Sequence, residues 1–417
     1  MNRTNGARIT APLPGIPGHQ IESGAMKADF SEVGHTGGKV TFLIESDERG
    51  QIRYAIRFTH SRPLPATLCG IYVHPDGFPC ANIAMGGLGD SWSPPPFSNC
   101  IAVMMASDSE GKFGHECPQC AKHFRTSGIP ALFPLTCPYC GLMLDSFRFL
   151  TPPQMAYIAY YIDTLNEGLA TIEPNSKQEI VIDMDAVADS VATEPRSDFY
   201  PASVTQQTQF ACAKCDAFND VRGRYAYCAN CGWRNNRATT EVALQRIRDN
   251  INAGQTTPSD AVKQAVSEFD SVSRNYADEL QRRVPMKASL RKELQGQLFH
   301  SIEQADILLR EVFRIDILRK MDNDRPFVKK MFMRRHVYEH DGGVATQRYI
   351  HEGGDTDVRE GDLIRETKEN AHNLISCINR MLSSFDDDFH GIFPQHEYGR
   401  NLTDQVAKRG AGREKRP

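Results

Sequence analysis

Residues 334 to 340 read RRHVYEH and combine guanidinium and imidazole groups in one short segment. Arg335 offers a planar fork of donors that matches a phosphate group. An imidazole ordinarily titrates in the range that suits a general acid or base, so either His340 or His336 is a candidate to move a proton. RNA carries its own nucleophile, the 2′-hydroxyl, and its cleavage needs only a proton shuttle and a cation beside the phosphoryl oxygens. The pattern therefore predicts metal-independent RNA cleavage, with Arg335, His340 and His336 as catalytic residues and a 2′,3′-cyclic phosphate as product.

The same segment fits two other interpretations. His336, Glu339 and His340 form an H-x-x-E-H sequence, the signature of inverted zincin peptidases, in which the histidines bind zinc and the glutamate is the base. The candidates for the third ligand that such a site needs are Glu366, Glu369 and His372. The other interpretation is an ordinary polar helix end, where the helix dipole favours histidines and cations.

The residues that precede this segment carry a local excess of positive charge. Residues 310 to 335 hold nine lysines or arginines and four acids, although the whole chain has a formal net charge of -4. This contrast predicts a surface for phosphate groups, with Lys329, Lys330 and Arg334 as the RNA-binding residues. The alternative is a solvated helix face whose charges pair one turn apart, such as Asp316 with Lys320.

Eight of the twelve cysteines fall into two clusters, each made of two C-x-x-C pairs. Sixteen residues separate CPQC from CPYC in the first cluster, and twelve separate CAKC from CANC in the second. Four thiolates at such spacings can surround one Zn2+ tetrahedrally, which leaves no open position for catalysis. The alternatives are a redox dithiol or buried free thiols. The sequence predicts two structural Zn2+ ions, held by Cys117, Cys120, Cys137 and Cys140 and by Cys212, Cys215, Cys228 and Cys231.

Zinc ribbons present their loops to nucleic acid or to protein, and the surroundings of the second cluster bear on this choice. Cationic and aromatic residues together suit stacked, phosphate-bearing ligands. Those near the second cluster are Arg222, Arg224, Tyr225, Tyr227, Trp233, Arg234 and Arg237. The alternative is that the rings pack the small ribbon core while the arginines keep it soluble. We expect the ribbons to recognise RNA or a protein partner.

Alternating apolar residues predict a β-rich region ahead of the clusters. Five apolar runs, from KVTFLIES at residue 39 to NCIAVMMA at residue 99, are separated by turn sequences. The segment SWSPPPFS must be a loop, because successive prolines cannot join a ladder. After the first cluster, Thr151 and Pro152 open a predicted helix whose apolar face includes Tyr157 and Leu165.

From Thr239 onward the spacing of apolar residues is helical. Predicted helices cover residues 244–251, 257–280, 288–299 and 301–321, then a helix that begins at Pro326 and carries RRHVYEH, and finally 362–385. Residues 341–361 are predicted to form a long loop. Successive amphipathic helices bury their apolar faces against one another, so we expect an all-α bundle.

The helical region and its motif together resemble a known family. Arg335-His336-x-x-x-His340, followed by DGG and VATQRYI, resembles the motif region of the HEPN family (higher eukaryotes and prokaryotes nucleotide-binding domain), over roughly residues 240–390. The resemblance implies a homodimer in which two copies of the motif form one cleft, and a role in host defence or as a toxin. On a regular helix Arg335 and His340 lie about 140° apart, so they converge in one chain only if the helix loosens near His340, just before Gly342, where a helix would end. A non-catalytic RNA- or nucleotide-binding module is the alternative.

These patterns predict an α+β multidomain protein. Its parts are a flexible tail (1–35), a β-rich domain (36–112), zinc ribbon 1 (113–150), a helix and connector (151–208), zinc ribbon 2 (209–238), a HEPN-like helical domain (239–395) and a basic tail (396–417). No apolar run is long enough to span a bilayer, and the first twenty residues lack the apolar segment of a secretory signal. We therefore expect a cytoplasmic protein that dimerises through its C-terminal bundle and does not contact a membrane.

Overall fold

The computed structural model describes residues 22–23, 38–60, 68–83, 93–107, 110–127, 134–183, 207–295 and 301–395, with the single residues 186, 299 and 401. These residues fall into two compact units: the first contains the described residues up to Trp233 together with residue 401, and the second contains those from Arg234 to Gln395. Most of the predicted tails (1–35 and 396–417) and of the predicted connector before residue 207 lie outside the described residues.

The N-terminal unit is rich in β-strands, as the alternating pattern predicts. Its strands are β1 (Glu22–Ser23), β2 (Lys39–Ser46), β3 (Ile52–His60), β4 (Leu68–Val73), β5 (Pro79–Ile83), β6 (Ile101–Ala106), β7 (Phe113–Glu116), β8 (His123–Thr126), β9 (Pro134–Thr136), β10 (Met143–Asp145), β11 (Lys177–Asp183), β12 (Gln207–Ala211) and β13 (Phe218–Arg222). The sheets have the orders β1-β3-β2-β11, β5-β4-β6, β10-β9 and β12-β13-β8-β7. The five predicted apolar runs are strands β2 to β6, which confirms them.

Helix α1 (Pro152–Ala170) packs against the first of these sheets. It begins where predicted, because Thr151 and Gln154 form a capping box: each side chain accepts a hydrogen bond from the other residue's backbone N–H. Near its end, a β-carbon at Gly168 would lie 2.5 Å from Cδ1 of Ile180 on β11. Only glycine therefore allows this close approach of helix and strand.

The C-terminal unit is helical, which confirms the α+β class. Its helices are α2 (Asn236–Asn252), α3 (Pro258–Arg283), α4 (Ala288–Gln295), α5 (Ile302–Phe313), α6 (Arg325–His340), α7 (Gln347–Gly353) and α8 (Lys368–Ile392). Helices α2, α3 and α8 pack together, and α6 packs on α3 and α7. Edge-to-face rings of Phe269 and Phe332 join α3 to α6, and Tyr276 stacks on Phe385 to join α3 to α8. A likeness of this bundle to HEPN domains stays a prediction.

Two predicted helices have different bounds in the structure. The helix predicted over 301–321 ends at Phe313, because Arg314 adopts a left-handed conformation (φ 62°) and the N–H of Ile315 turns back to the carbonyl of Leu309. The helix predicted from 362 begins at Lys368, where Thr367 caps it by accepting from the N–H of Asn370 at 3.1 Å. Apolar spacing alone did not distinguish buried turn residues from helical ones.

The predicted loop after α6 contains a helix and has a fixed shape. We call residues 341–367 the α6–α8 segment. The N–H of Ala345 donates to the carbonyl of Asp362 at 2.8 Å, and the N–H of Ile364 donates to the carbonyl of Gly343 at 2.9 Å. Helix α7 lies between these contacts, and Ala345, Tyr349 and Ile364 form a small apolar core with Val337 of α6. The segment therefore packs onto the helix that carries RRHVYEH.

Candidate functional site

Each cysteine pair lies in a tight turn, and the four turns share one geometry. The first cysteine of each pair accepts a hydrogen bond at its carbonyl from the residue that follows the second cysteine, at 2.8–3.0 Å. That residue has a positive φ in all four turns: Ala121, Gly141, Asp216 and Gly232. Two of the four are not glycine, so the turn itself holds them in a conformation that L residues rarely adopt.

The turns bring the predicted ligands together as two four-cysteine groups. Within each group all Sγ atoms lie within 4.8 Å of one another. The Sγ atoms of Cys117 and Cys140 are 3.6 Å apart in the first group, and those of Cys212 and Cys231 are 3.6 Å apart in the second. In the part of the chain that the structure describes, these are the only groups of three or more His, Cys, Asp or Glu side chains that could hold a metal ion.

The two clusters belong to one sheet, whereas the sequence suggested two separate ribbons. Strand β13, from the second cluster, pairs with β8, from the first, so that Asn219 lies opposite Thr126 and Asp220 opposite Arg125. The second C-x-x-C turn of each cluster is also joined to that of the other, since the N–H of Thr136 donates to the carbonyl of Ala229 at 2.8 Å. We call residues 113–127, 134–149 and 207–233 the cysteine module.

A buried ion pair holds the two halves of the cysteine module together. The guanidinium of Arg125, 2 % exposed, donates to Asp220 across the β8–β13 junction at 2.6 Å and to Glu110 at 2.6 Å. Burial raises the pKa of Asp220, and the positive charge of Arg125 offsets this only in part. Sequence spacing gave no sign of this pair, because its members are far apart in the chain.

The cationic and aromatic residues around the second cluster do not form one surface. Tyr227 is buried, and Arg234 is buried in the helical unit, where its guanidinium donates to Asn275 and lies 3.4 Å from Glu279. Arg222 is exposed, and the ammonium group of Lys214 lies over the ring of Trp233 at 4.4 Å. The structure thus combines the two interpretations: some rings pack the core, and some cations stay at the surface.

Helix α6 stays regular through the whole motif. The N–H of Asp341 still bonds to the carbonyl of Val337 at 2.9 Å, and the chain turns only at Gly342 and Gly343, where φ is 60° and 83°. The helix does not loosen before His340. Arg335 and His340 of one chain therefore project from different faces of the helix.

His336 and His340 form an exposed pair on the last turn of α6. Their ring centroids are 4.6 Å apart, and both side chains are open to solvent. Partial burial lowers the pKa of His336, and the neighbouring His340 lowers it further. Both effects favour the neutral form of His336. Arg335 is partly buried, and its guanidinium lies 3.2 Å from the carboxylate of Glu339 on the same helix. The three predicted catalytic residues thus divide into an accessible imidazole pair and a guanidinium that is already paired.

Arg334, predicted to bind RNA, points into the protein. Its guanidinium lies 2.7 Å from Asp355 and 3.1 Å from Glu366, and it also donates to the hydroxyl of Tyr349 at 3.0 Å. The hydroxyl of Tyr338 donates to Glu366 at 3.0 Å. We call these five residues the Arg334 cluster. Because its donors are directed at these partners, Arg334 is not available to RNA. The prediction that Arg334 binds RNA is therefore wrong.

The charges of the Arg334 cluster stabilise one another. Burial alone would lower the pKa of Arg334, but the bonds to Asp355 and Tyr349 raise it above the usual range. Burial alone would raise the pKa of Asp355, but the bonds from Tyr349 and Arg334 lower it. Both groups are therefore held in their charged forms.

Acidic residues neutralise most of the predicted positive stretch; Asp306 and Glu339 lie one turn away on the same helix as their partners, and the other acids come from other elements. Arg310, Arg319, Lys320, Lys329, Arg334 and Arg335 all form ion pairs. Lys320 pairs with Asp387 of α8 rather than with Asp316, and Lys329 pairs with Glu303 of α5. Lys330 is partly exposed and has no ion pair among the described residues. The local excess of charge in the sequence is thus much smaller on the folded surface.

The alternative metallopeptidase site lacks its third ligand. Glu366 bonds to Arg334 and Tyr338, and the ring of His372 lies 3.1 Å from the amide oxygen of Asn252. No group of three ligands that includes His336 and His340 is present in the described residues. The geometry does not favour this interpretation.

Known proteins offer no further guide to this site. No protein-family model, no curated protein and no solved structure matches the chain. In the described part of the chain, no helix combines the length and the apolar character that crossing a bilayer requires.

Proposed function

We propose that this protein is an endoribonuclease of HEPN type, which cleaves RNA without a metal ion at the reacting phosphate. The observation that carries the proposal is the exposed imidazole pair, His336 and His340, beside Arg335 at the end of α6. His340 takes the proton from the 2′-hydroxyl as general base or gives a proton to the leaving 5′-oxygen as general acid, and His336 orients the phosphate or His340. Arg335 releases Glu339 and stabilises the phosphorane.

One chain presents these groups on different helix faces, so we propose that two chains complete the cleft. In a homodimer built on the C-terminal unit, Arg335 of one protomer can lie across from His340 of its partner. Lys330 is the cation best available to guide the RNA backbone, and Lys329 can contribute if it leaves Glu303. A single, concentration-independent monomer in light scattering would contradict this arrangement.

We also propose that the two four-cysteine groups hold structural Zn2+. Four thiolates within 4.8 Å of one another match the ion's preference for four sulfur ligands in a closed site. The amide of Asn219 donates to Sγ of Cys228 at 3.4 Å, which stabilises a thiolate there. When bound, zinc would brace the module and supply no chemistry at the reacting phosphate. Free thiols in this arrangement suit a reducing compartment, and we propose a cytoplasmic location.

Purified protein, RNA and a chelator test the nuclease proposal. Cleavage should continue when EDTA is present in the reaction, and the products should carry 2′,3′-cyclic phosphate ends. His340→Ala should slow cleavage by about a hundredfold or more, as the loss of a proton shuttle does. His351→Ala is the matched control, because His351 is exposed on the neighbouring helix α7 and lies outside the motif. Equal activity of the two variants would overturn the assignment of His340.

A second candidate is an RNA-binding adaptor that does not cleave. One observation favours it: Arg335 is paired with Glu339 and is not free to stabilise a phosphorane unless that pair opens. RNA binding without products, unchanged by His340→Ala, would support this candidate. Roles in host defence or as a toxin rest only on the family resemblance.

A further inference from the structure

The two four-cysteine groups differ in their access to solvent. In the first group Cys117 and Cys137 are fully buried, but the second cysteine of each pair, Cys120 and Cys140, is partly exposed. In the second group all four cysteines are buried. Small polar oxidants react fastest with cysteines that solvent reaches, so the more exposed first group is expected to react before the second.

The residue two positions after the last cysteine accounts for part of the difference. In the second group this residue is Trp233, whose side chain packs against the four cysteines. In the first group it is Leu142, a smaller side chain that leaves Cys140 partly exposed. The backbone at this position makes the same hydrogen bond in both groups. The carbonyl of Trp233 accepts from the N–H of Cys228 at 2.6 Å, and the carbonyl of Leu142 accepts from the N–H of Cys137 at 2.7 Å. At this position the two sites therefore share the turn and differ in the side chain.

We propose that the first four-cysteine group is a peroxide-sensitive site that forms a disulfide and loses its ion, while the second group is protected. The inference rests on the proposed zinc content. It adds a modification site, Cys120 and Cys140, to a cluster otherwise assigned a structural role only.

The reaction needs hydrogen peroxide and two thiolates. The exposed thiolate of Cys140 attacks one peroxide oxygen, which gives a sulfenic acid and hydroxide. The thiolate of Cys117, whose Sγ is 3.6 Å away, attacks that sulfur and expels a second hydroxide as the disulfide forms. Cys120 and Cys137, at 3.8 Å, offer the equivalent route. Two sulfurs are oxidised, one peroxide is reduced, and two thiolates remain, which are too few to retain the ion.

Zinc release and cysteine mapping test the inference on the full-length, zinc-loaded protein. Zinc content is first measured by elemental analysis, and hydrogen peroxide is then added with a colorimetric zinc indicator. One ion per chain should leave about tenfold faster than the other, because reactivity follows exposure. Mass spectrometry at the half-way point should find Cys117–Cys140 or Cys120–Cys137 disulfides, with the second group still reduced.

A substitution at the shielding position provides the control. Trp233→Leu gives the second group the side chain that the first has, and should bring its release rate close to that of the first. If this variant does not retain two ions, the cysteine map of the unmodified protein still decides. Equal release rates, or oxidation of the second group first, would overturn the inference. Purified protein without zinc would instead contradict the proposed zinc sites.

Discussion

The cysteine module and the Arg334 cluster both hold irregular chain in place by gathering polar groups inside the protein, but they do so over different sequence distances. In the module, each ligand pair spans four residues and the pairs recur after a short gap. In the cluster, Arg334 bonds to partners 21 and 32 residues away. Sequence spacing therefore predicts the cysteine module but does not predict the Arg334 cluster.

The two constructions also balance their charges differently. Four thiolates repel one another unless a cation lies among them, so the module would depend on the zinc proposed for it. The Arg334 cluster contains its own cation and two carboxylates, and needs nothing from solution. The first should thus respond to chelators and the second to acid and to substitution.

Removal of metal should produce the largest effect and should be confined to the module. Structural zinc in small domains contributes about 10–16 kcal/mol of apparent binding free energy. A strong zinc chelator should therefore abolish hydrogen-exchange protection in strands β8 and β13 while helix α8 keeps its protection. Persistent protection of β13 in protein shown to be metal-free would contradict this expectation.

Loss of the Arg334 guanidinium should have the next largest effect, in the helical unit only. Arg334→Met leaves Asp355 and Glu366 buried without their cation, which costs about 3–5 kcal/mol when a buried pair is broken. Hydrogen exchange of helix α7 in increasing urea measures the change. Arg348→Met is the control, since Arg348 pairs with Glu352 at the surface. A difference below about 1 kcal/mol between the two variants would show that the cluster does not hold the α6–α8 segment.

Acid should loosen the α6–α8 segment through Asp355. The pKa of Asp355 is lower in the folded protein than the usual value of about 3.9. The charge of Asp355 therefore stabilises the folded segment at pH values above the unfolded pKa of about 3.9. This stabilisation is lost as the pH falls through the lower pKa of the folded protein. Pepsin should cut residues 341–367 increasingly fast below about pH 4.

Asp355→Asn separates this titration from other effects of acid. The amide cannot ionise, so cleavage of the segment should be faster at pH 5 and should change less between pH 5 and pH 3. An identical pH profile for the two proteins would exclude Asp355 as the titrating group.

Helix caps should give the smallest effect and should respond to neither chelator nor acid. Thr367→Ala removes the hydroxyl that accepts from the N–H of Asn370 and should cost about 1 kcal/mol. Thr151→Ala tests the matching cap in the N-terminal unit. Urea unfolding with and without chelator should show the cost of Thr367→Ala unchanged.

Much of the fold follows from local pattern. The cysteine groups, strands β2 to β6 and the start of α1 each carry a sequence pattern that is complete within a few tens of residues, and spacing predicts them well. The bounds of α5 and α8 do not, because the left-handed turn at Arg314 and the cap at Thr367 override a continuing apolar pattern. The pairing of β8 with β13 joins distant parts of the chain and could not be foreseen.

The site at the end of α6 was predicted only in part. Arg334 and Arg335 are neighbours with the same chemistry, and packing alone sends one inward. A sign was present in the sequence: Arg334 lies three residues after Met331 and three before Val337, on the buried stripe of the helix. Asp306 and Glu339 lie one turn from their arginines, so local spacing could indicate them. Glu303, Asp387 and Asp355 lie far along the chain from their partners, and no local pattern indicates them.

The interleaved sheet of the cysteine module also has a consequence for synthesis. Strand β8 is complete once residue 126 leaves the ribosome, but its neighbour β13 emerges only after α1 and β11 have been made. Until then β8 is an open edge, and Arg125 has no Asp220 beside it. The nascent chain must therefore wait for the second cysteine cluster before the first can reach its finished form.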